Sequence, residues 1–201
     1  MQINKDTKVF GSFSSTPGNN GCNYFNARFQ EEGINAIYKS FKGTDPIAIT
    51  SSSRTLSFSG FALSMPLKIK CIPYLDSLSI QAEKINAVNT VLSVNGELVG
   101  HNTDWIGIRE YFSKHNINSV SIIGNGGFSK AIQFYCQEEK LQYEVFTRSN
   151  INNILSAKYK VFNATPANFD CDIDGRPHTT VGKEIAKYQA EAQFDLYKTV
   201  L

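Results

Sequence analysis

The sequence is poor in the residues that mark disulfide-stapled, metal-stapled or membrane proteins. Four cysteines, Cys22, Cys71, Cys136 and Cys171, are spread through 201 residues and form no CxxC pair. That spacing argues against a zinc knuckle or a dithiol redox motif and leaves buried or idle thiols. The three histidines, His101, His115 and His178, stand far apart, so no metal is expected. No run approaches the ~20 apolar residues that span a bilayer. The segment from Met1 to Phe10 carries Lys5, Asp6 and Lys8 and lacks the apolar stretch of a signal peptide. An excess of charge is missing too, because 20 Lys plus Arg oppose 18 Asp plus Glu, a formal net charge of +2. This balance predicts no nucleic-acid or membrane partner and leaves anion binding at one site open. A cytoplasmic protein is the expectation.

What is present suits a globular chain. Hydrophobic residues make up 41% and charged residues 19%, and 14 Phe with 9 Tyr can fill a sizeable core. The length allows one large domain or two small ones. Lys8 to Phe13 reads as a strand entering a Gly/Ser/Asn loop, and Asn23 to Glu32 as a helix with Phe25 and Phe29 on one face. Asn35 to Phe41 reads as a strand, Ile47 to Ile49 as a weaker one, and Ser51 to Leu56 as helix or loop. Phe58 to Leu63 is a short apolar strand that ends at Ser64-Met65-Pro66. A helix is expected from Leu67, and another over Asp76 to Lys84. Ala87 to Val94, the Asn95-Gly96 turn and Glu97 to His101 form a hairpin. Asp104 to Lys114 is helical.

The second half opens on Ser119 to Ile123, a glycine turn, and a helix from Phe128 to Glu139. Strands over Tyr143 to Thr147 and Lys160 to Asn163 follow, with a short helix over Ile151 to Ala157 between them. This βαβ series favours a parallel sheet. A closing helix, Glu184 to Leu201, places Ile185, Tyr188, Ala192 and Leu196 at helical spacing.

Gly124-Asn125-Gly126-Gly127 sits between a β-branched strand and a helix. The first glycine suits a tight turn, the second admits a pyrophosphate, and the helix N–H groups face the anion. Serine stands at position 129, where the usual spacing has a third glycine. At the end of the next strand, Thr147-Arg148-Ser149-Asn150 carries an arginine and no acid. That suits a 2′-phosphate, hence NADP, or else Arg148 is an ordinary solvated arginine. Two polar turns precede this region. Ser64 to Lys68 puts a lysine just after a strand, and Asn102-Thr103-Asp104 puts a carboxylate at a helix start. A Lys and an Asp meeting in a cleft can exchange a proton with a hydroxyl, whereas apart they are a surface lysine and a cap.

In order along the chain, these segments resemble the shikimate dehydrogenases. Phe61-Ala62-Leu63-Ser64-Met65-Pro66-Leu67-Lys68 resembles the family's N-V-T-x-P-x-K segment. Ala87-Val88-Asn89-Thr90 with Gly100-His101-Asn102-Thr103-Asp104-Trp105-Ile106-Gly107 resembles A-V-N-T followed by G-x-N-T-D-x-x-G. The Gly124 loop, Asn163-Ala164-Thr165-Pro166 and Gly182 to Ala190 resemble its cofactor loop, its N-A-T-P turn and its G-x-x-M-L-x-x-Q-A helix. The resemblance implies reversible hydride transfer between NADPH and 3-dehydroshikimate, giving shikimate, a step toward chorismate and the aromatic amino acids. It pairs Lys68 with Asp104 as catalytic residues across one cleft. Lys68 handles the hydroxyl proton, while Asp104 binds that hydroxyl and orients the lysine. Ser64, Asn89, Gln189 and Asn19 are implied at the ring acid. Gly124, Asn125, Gly126, Gly127, Phe128, Thr147, Arg148, Thr165, Gly182 and Ile185 are implied at NADP.

The implied fold is α/β: a substrate-binding lobe over 1–103 with the helix 183–201 returning to it, and a shortened Rossmann-like lobe over 104–182, as a monomer or homodimer. Differences from the family pattern are specific. Its two N-terminal serines are replaced by Asn19 and Gly21, and Ala62 stands for an asparagine. The stretches from Arg148 to Asn163 and from Pro166 to Gly182 are short. A Y-x-P segment and a second basic residue after Arg148, near Asn152, are missing. Alternatives are a non-catalytic binding protein and an oxidoreductase for quinate or an amino analogue.

Overall fold

The computed structural model describes residues 3–201; Met1 and Gln2, at the start of the expected first lobe, lie outside the described residues. The chain is α/β and divides into two compact units, Met1–Asn102 with Gln193–Leu201, and Thr103–Ala192. Among the described residues no helix is long and apolar enough to cross a membrane.

The first unit runs β1 (Lys8–Ser14), α1 (Asn20–Glu31), β2 (Ala36–Lys42), α2 (Pro46–Thr55), β3 (Phe58–Leu63), α3 (Leu67–Lys70), β4 (Ser77–Leu78), α4 (Ile80–Ile85), β5 (Thr90–Val94) and β6 (Glu97–His101). Its six strands form one sheet in the order β2-β1-β3-β5-β6-β4. β1 pairs parallel with β2 and β3, and the β5–β6 hairpin adds antiparallel to β3. These strands bury Phe13, Phe58, Phe61, Val91 and Leu98 in one core. Across α1, Phe25 and Phe29 share the buried face that their spacing predicts. Phe194 and Tyr197 pack with them, Tyr197 at 4.5 Å from Phe10 and Phe194 at 5.7 Å from Phe29 between ring centroids.

The second unit runs α5 (Asp104–Lys114), β7 (Ser119–Ile123), α6 (Gly127–Glu138), β8 (Gln142–Phe146), β9 (Val161–Asn163), β10 (Ile173–Asp174) and most of α7 (Thr180–Lys198). Its sheet, in the order β10-β9-β7-β8, is parallel throughout, as a βαβ series requires. This is a Rossmann-like arrangement pared to four strands. Ile108, Phe112, Val120, Ile122, Ile132 and Phe162 fill its core.

Four segments differ from the sequence expectations. Ile47 to Ile49 is helical rather than extended, because Asp45 caps α2 by accepting from the Ile47 N–H and Pro46 starts the helix. Asp76 to Lys84 is not one helix. Ser77 and Leu78 pair with β6, and α4 begins only after Ser79, whose hydroxyl accepts from the Ala82 N–H. The closing helix begins at Thr180 rather than Glu184. Its buried positions include Phe194 and Tyr197, which the expected stripe passed over. β10, unforeseen, pairs with β9 through two residues.

All four cysteines are free. Burial pushes the Cys71 and Cys136 thiols up to about 12, so they stay protonated.

Candidate active site

In the first unit the turn after β3 is held on both sides by main-chain hydrogen bonds. The Ser64 N–H donates to the Phe13 carbonyl at 3.0 Å, and the Ser15 N–H to the Met65 carbonyl at 3.3 Å. On the other side, the Leu63 N–H donates to Asn89 O at 2.8 Å and the Val88 N–H to Lys68 O at 2.7 Å. Lys68 is half-buried, Ser64 exposed and Asn89 buried. The structure therefore brings the backbones of Ser64, Lys68 and Asn89 together.

A second set of bonds fixes the Asn89 segment. Its N–H donates to His101 O at 3.1 Å, and its side-chain oxygen accepts from the Thr90 hydroxyl at 2.9 Å. The buried Asn102 side chain donates to the Ala87 carbonyl at 2.8 Å. Asn102 is a structural residue that sequence reading passed over, although it stands inside a matched motif. Burial lowers the pKa of His101 and favours its neutral form. Asn19 is the exposed N-cap of α1; its carbonyl accepts from the Asn23 N–H at 2.9 Å and its side chain makes no capping bond.

In the second unit Asp104 is the buried first residue of α5. One turn later, a Cβ built on Gly107 would lie 2.7 Å from Ile185 O and 3.1 Å from the Gln189 Cβ. Only glycine lets α5 and α7 approach this closely. Asp104 and Gln189 thus stand on helices whose backbones meet at Gly107, the glycine that ends the G-x-N-T-D-x-x-G match.

The glycine turn lies at the carboxyl end of β7. The same register places Ile123 beside Phe146 of β8 and Asn163 of β9. Gly124, Thr147 and Ala164 are therefore the first residues beyond three adjacent parallel strands. Gly124 has φ +117°, and a Cβ on it would come within 2.9 Å of Thr165 Cγ2. Gly126 caps α6 and has open space where a Cβ would stand. Ser129, at the place of the missing third glycine, is fully buried and donates its hydroxyl to the Gly124 carbonyl at 2.8 Å. The serine thus fastens the turn to the helix.

The flanking turns are each closed by an asparagine. Asn163 Oδ1 accepts from the Thr165 N–H and hydroxyl, at 3.0 and 2.9 Å. Asn150 does the same for Thr147, and Arg148 is exposed in that turn. Asn125 is exposed, and Phe128 packs on the core against Phe162. Gly182 lies in the first turn of α7 with its N–H on the Thr179 hydroxyl, while Ile185 is buried in the core. Among the described residues no cluster of three or more His, Cys, Asp or Glu is placed to hold a metal.

Known proteins resemble this chain. A family model described as the shikimate dehydrogenase substrate binding domain matches residues 20–91. A shikimate dehydrogenase-like protein of Haemophilus influenzae is 38% identical over 133 residues, 65% of this chain and 49% of that protein. The NADP(+) shikimate dehydrogenase of Methanococcus maripaludis is 33% identical over 172 residues, 76% of this chain and 61% of that protein. The chain thus spans from about half to three-fifths of these relatives. Among solved structures, a shikimate 5-dehydrogenase-like protein superposes with a TM-score of 0.80 at 26% identity, covering 98% of this chain and 94% of that one. The shikimate 5-dehydrogenase of Thermus thermophilus, solved with NADP(H) and shikimate, gives 0.79 at 21% identity over 96% and 94%. The latter likeness is one of fold alone.

Proposed function

This chain belongs to the shikimate dehydrogenase family, and from that premise we propose that it is an NADP-dependent oxidoreductase interconverting shikimate, or a close ring acid, and its 3-dehydro form. The observation that carries the reading is the set of three turns at one end of the parallel sheet, with Gly124, Thr147 and Thr165 on neighbouring turns. This is where an open α/β sheet takes a nucleotide.

The residues fit the cofactor. Open space at Gly126 exposes the start of α6 to a pyrophosphate, and the positive φ of Gly124, which only glycine adopts without strain, keeps side-chain bulk out of the turn. Arg148, with no acid beside it in the turn, suits a 2′-phosphate. When bound, the nicotinamide supplies the hydride chemistry. In this reading Lys68 takes the hydroxyl proton during oxidation and returns it during reduction, and Asp104 accepts a hydrogen bond from that hydroxyl. Ser64, Asn89, Gln189 and Asn19 bind the ring acid. Phe128, Gly182 and Ile185 complete the cofactor side.

The test is turnover. Purified protein with shikimate and NADP should generate NADPH, and Lys68→Ala should abolish it. No turnover with shikimate, quinate or an amino analogue would overturn the enzymatic reading. A second reading is a binding protein without turnover, favoured by the short connection between β8 and β9, which holds only a 3-10 turn at Ile151–Ser156. Calorimetry showing a ring acid bound without NADP would favour it.

A further inference from the structure

The turn after β8 is closed by one residue, Asn150. Asn150 Oδ1 accepts from the Thr147 N–H at 2.6 Å and from the Thr147 hydroxyl at 3.1 Å. Its Nδ2 donates to Val145 O at 3.2 Å, back on the strand. Its own N–H donates to Thr147 O at 3.1 Å. Backbone and side chain therefore close the same turn from opposite directions. Between the two ends stand exposed Arg148 and Ser149, and the Ser149 hydroxyl is 2.8 Å from that of Thr147. A short exposed turn ordinarily samples many conformations, and a ligand that needs one of them bears the ordering cost. Here the carboxamide has already chosen the conformation. The choice matters because Asn152, a turn further on, is uncharged, so a single guanidinium serves the site.

We infer that Asn150 is a positioning residue for the 2′-phosphate of NADP: it touches no ligand and presets the Thr147-Arg148-Ser149 turn that does. The inference rests on the NADP reading above. Its chemistry is that of a side chain bonding back to the main-chain N–H three residues earlier, so that the side-chain oxygen stands in for a backbone acceptor. Removing that oxygen strands the Thr147 N–H and frees Arg148 from its set direction.

The experiment is calorimetric titration of the full chain with NADP and, separately, with NAD, which lacks the 2′-phosphate. Wild-type protein binds NADP more tightly than NAD. Asn150→Ala weakens NADP binding about tenfold, the size of a lost hydrogen-bonded constraint, and leaves NAD binding unchanged. Asn150→Ser, which keeps a shorter acceptor in its hydroxyl, falls between the two. Equal loss of NADP and NAD assigns Asn150 a merely structural role and overturns the inference. Wild-type affinity for NADP in Asn150→Ala also overturns it. A wild-type protein that does not distinguish the two nucleotides overturns the NADP reading first, and the inference with it.

Discussion

The main-chain N–H of Val88 donates to the carbonyl of Lys68 at 2.7 Å. Five residues before the lysine and one after Val88, the Leu63 N–H donates to Asn89 O at 2.8 Å. The lysine turn and the Asn89 segment are thus laced together and cannot shift independently. Precision of this kind is what placing a proton acceptor near a bound hydroxyl demands.

Asn102 extends that lacing, since its buried side chain donates to the Ala87 carbonyl. Asn102→Ala should lower stability by about 1–3 kcal/mol, the cost of a buried polar group left unpaired. Urea unfolding reads it directly, and an unchanged midpoint would show that the bond is dispensable.

Gly107→Ala should be costly despite its small size and its helix-favouring residue. The added methyl would stand 2.7 Å from the Ile185 carbonyl, which is backbone and cannot swing aside. Overpacking at such a contact costs about 1–3 kcal/mol, more than the roughly 1 kcal/mol of helix propensity gained. A raised melting temperature would contradict the close α5–α7 approach.

Gly124→Ala meets two obstacles, the φ of +117° and Thr165 Cγ2 at 2.9 Å from the new methyl. The turn must move, and NADP affinity should fall at least about tenfold, with a smaller loss of stability. Titration of folded variant with NADP checks this. Wild-type affinity would place the cofactor elsewhere.

Much of this framework was legible in the sequence, for local reasons. The Asn95-Gly96 turn and its alternating flanks specify a hairpin, and α5 spans the expected Asp104 to Lys114. The glycine turn between a β-branched strand and a helix was equally plain. Less was legible where distant groups decide. Ser77 and Leu78 become a strand because β6 lies beside them, and Ile173–Asp174 because β9 does. Two residues carry no period to read. The asparagines that tie these segments together, Asn102 in the first unit and Asn150 and Asn163 in the second, look like ordinary turn residues until their partners are known.

Asp76 supplies a pH signature. Its carboxylate accepts from the Leu98 N–H at 2.6 Å and from Arg54 at 2.7 Å, and these partners hold its pKa below the usual range. The folded pKa is depressed, so the stabilisation is present above the unfolded value of about 3.9 and is lost as pH falls through the folded value. The stability gap between wild type and Asp76→Asn should therefore hold steady at neutral pH and shrink below about pH 4. Solvent reaches this pair, which keeps the gap small. A gap that widened in acid would contradict the assignment.

The central claim is met most directly by following NADPH absorbance while wild type, Lys68→Ala and Asp104→Asn are each mixed with shikimate and NADP. The account predicts turnover by wild type and a loss of at least about 100-fold in each variant, as expected when an acid–base group is removed. Turnover that survives in Lys68→Ala, or NADP and ring acid both bound by wild type with no NADPH formed, would contradict it.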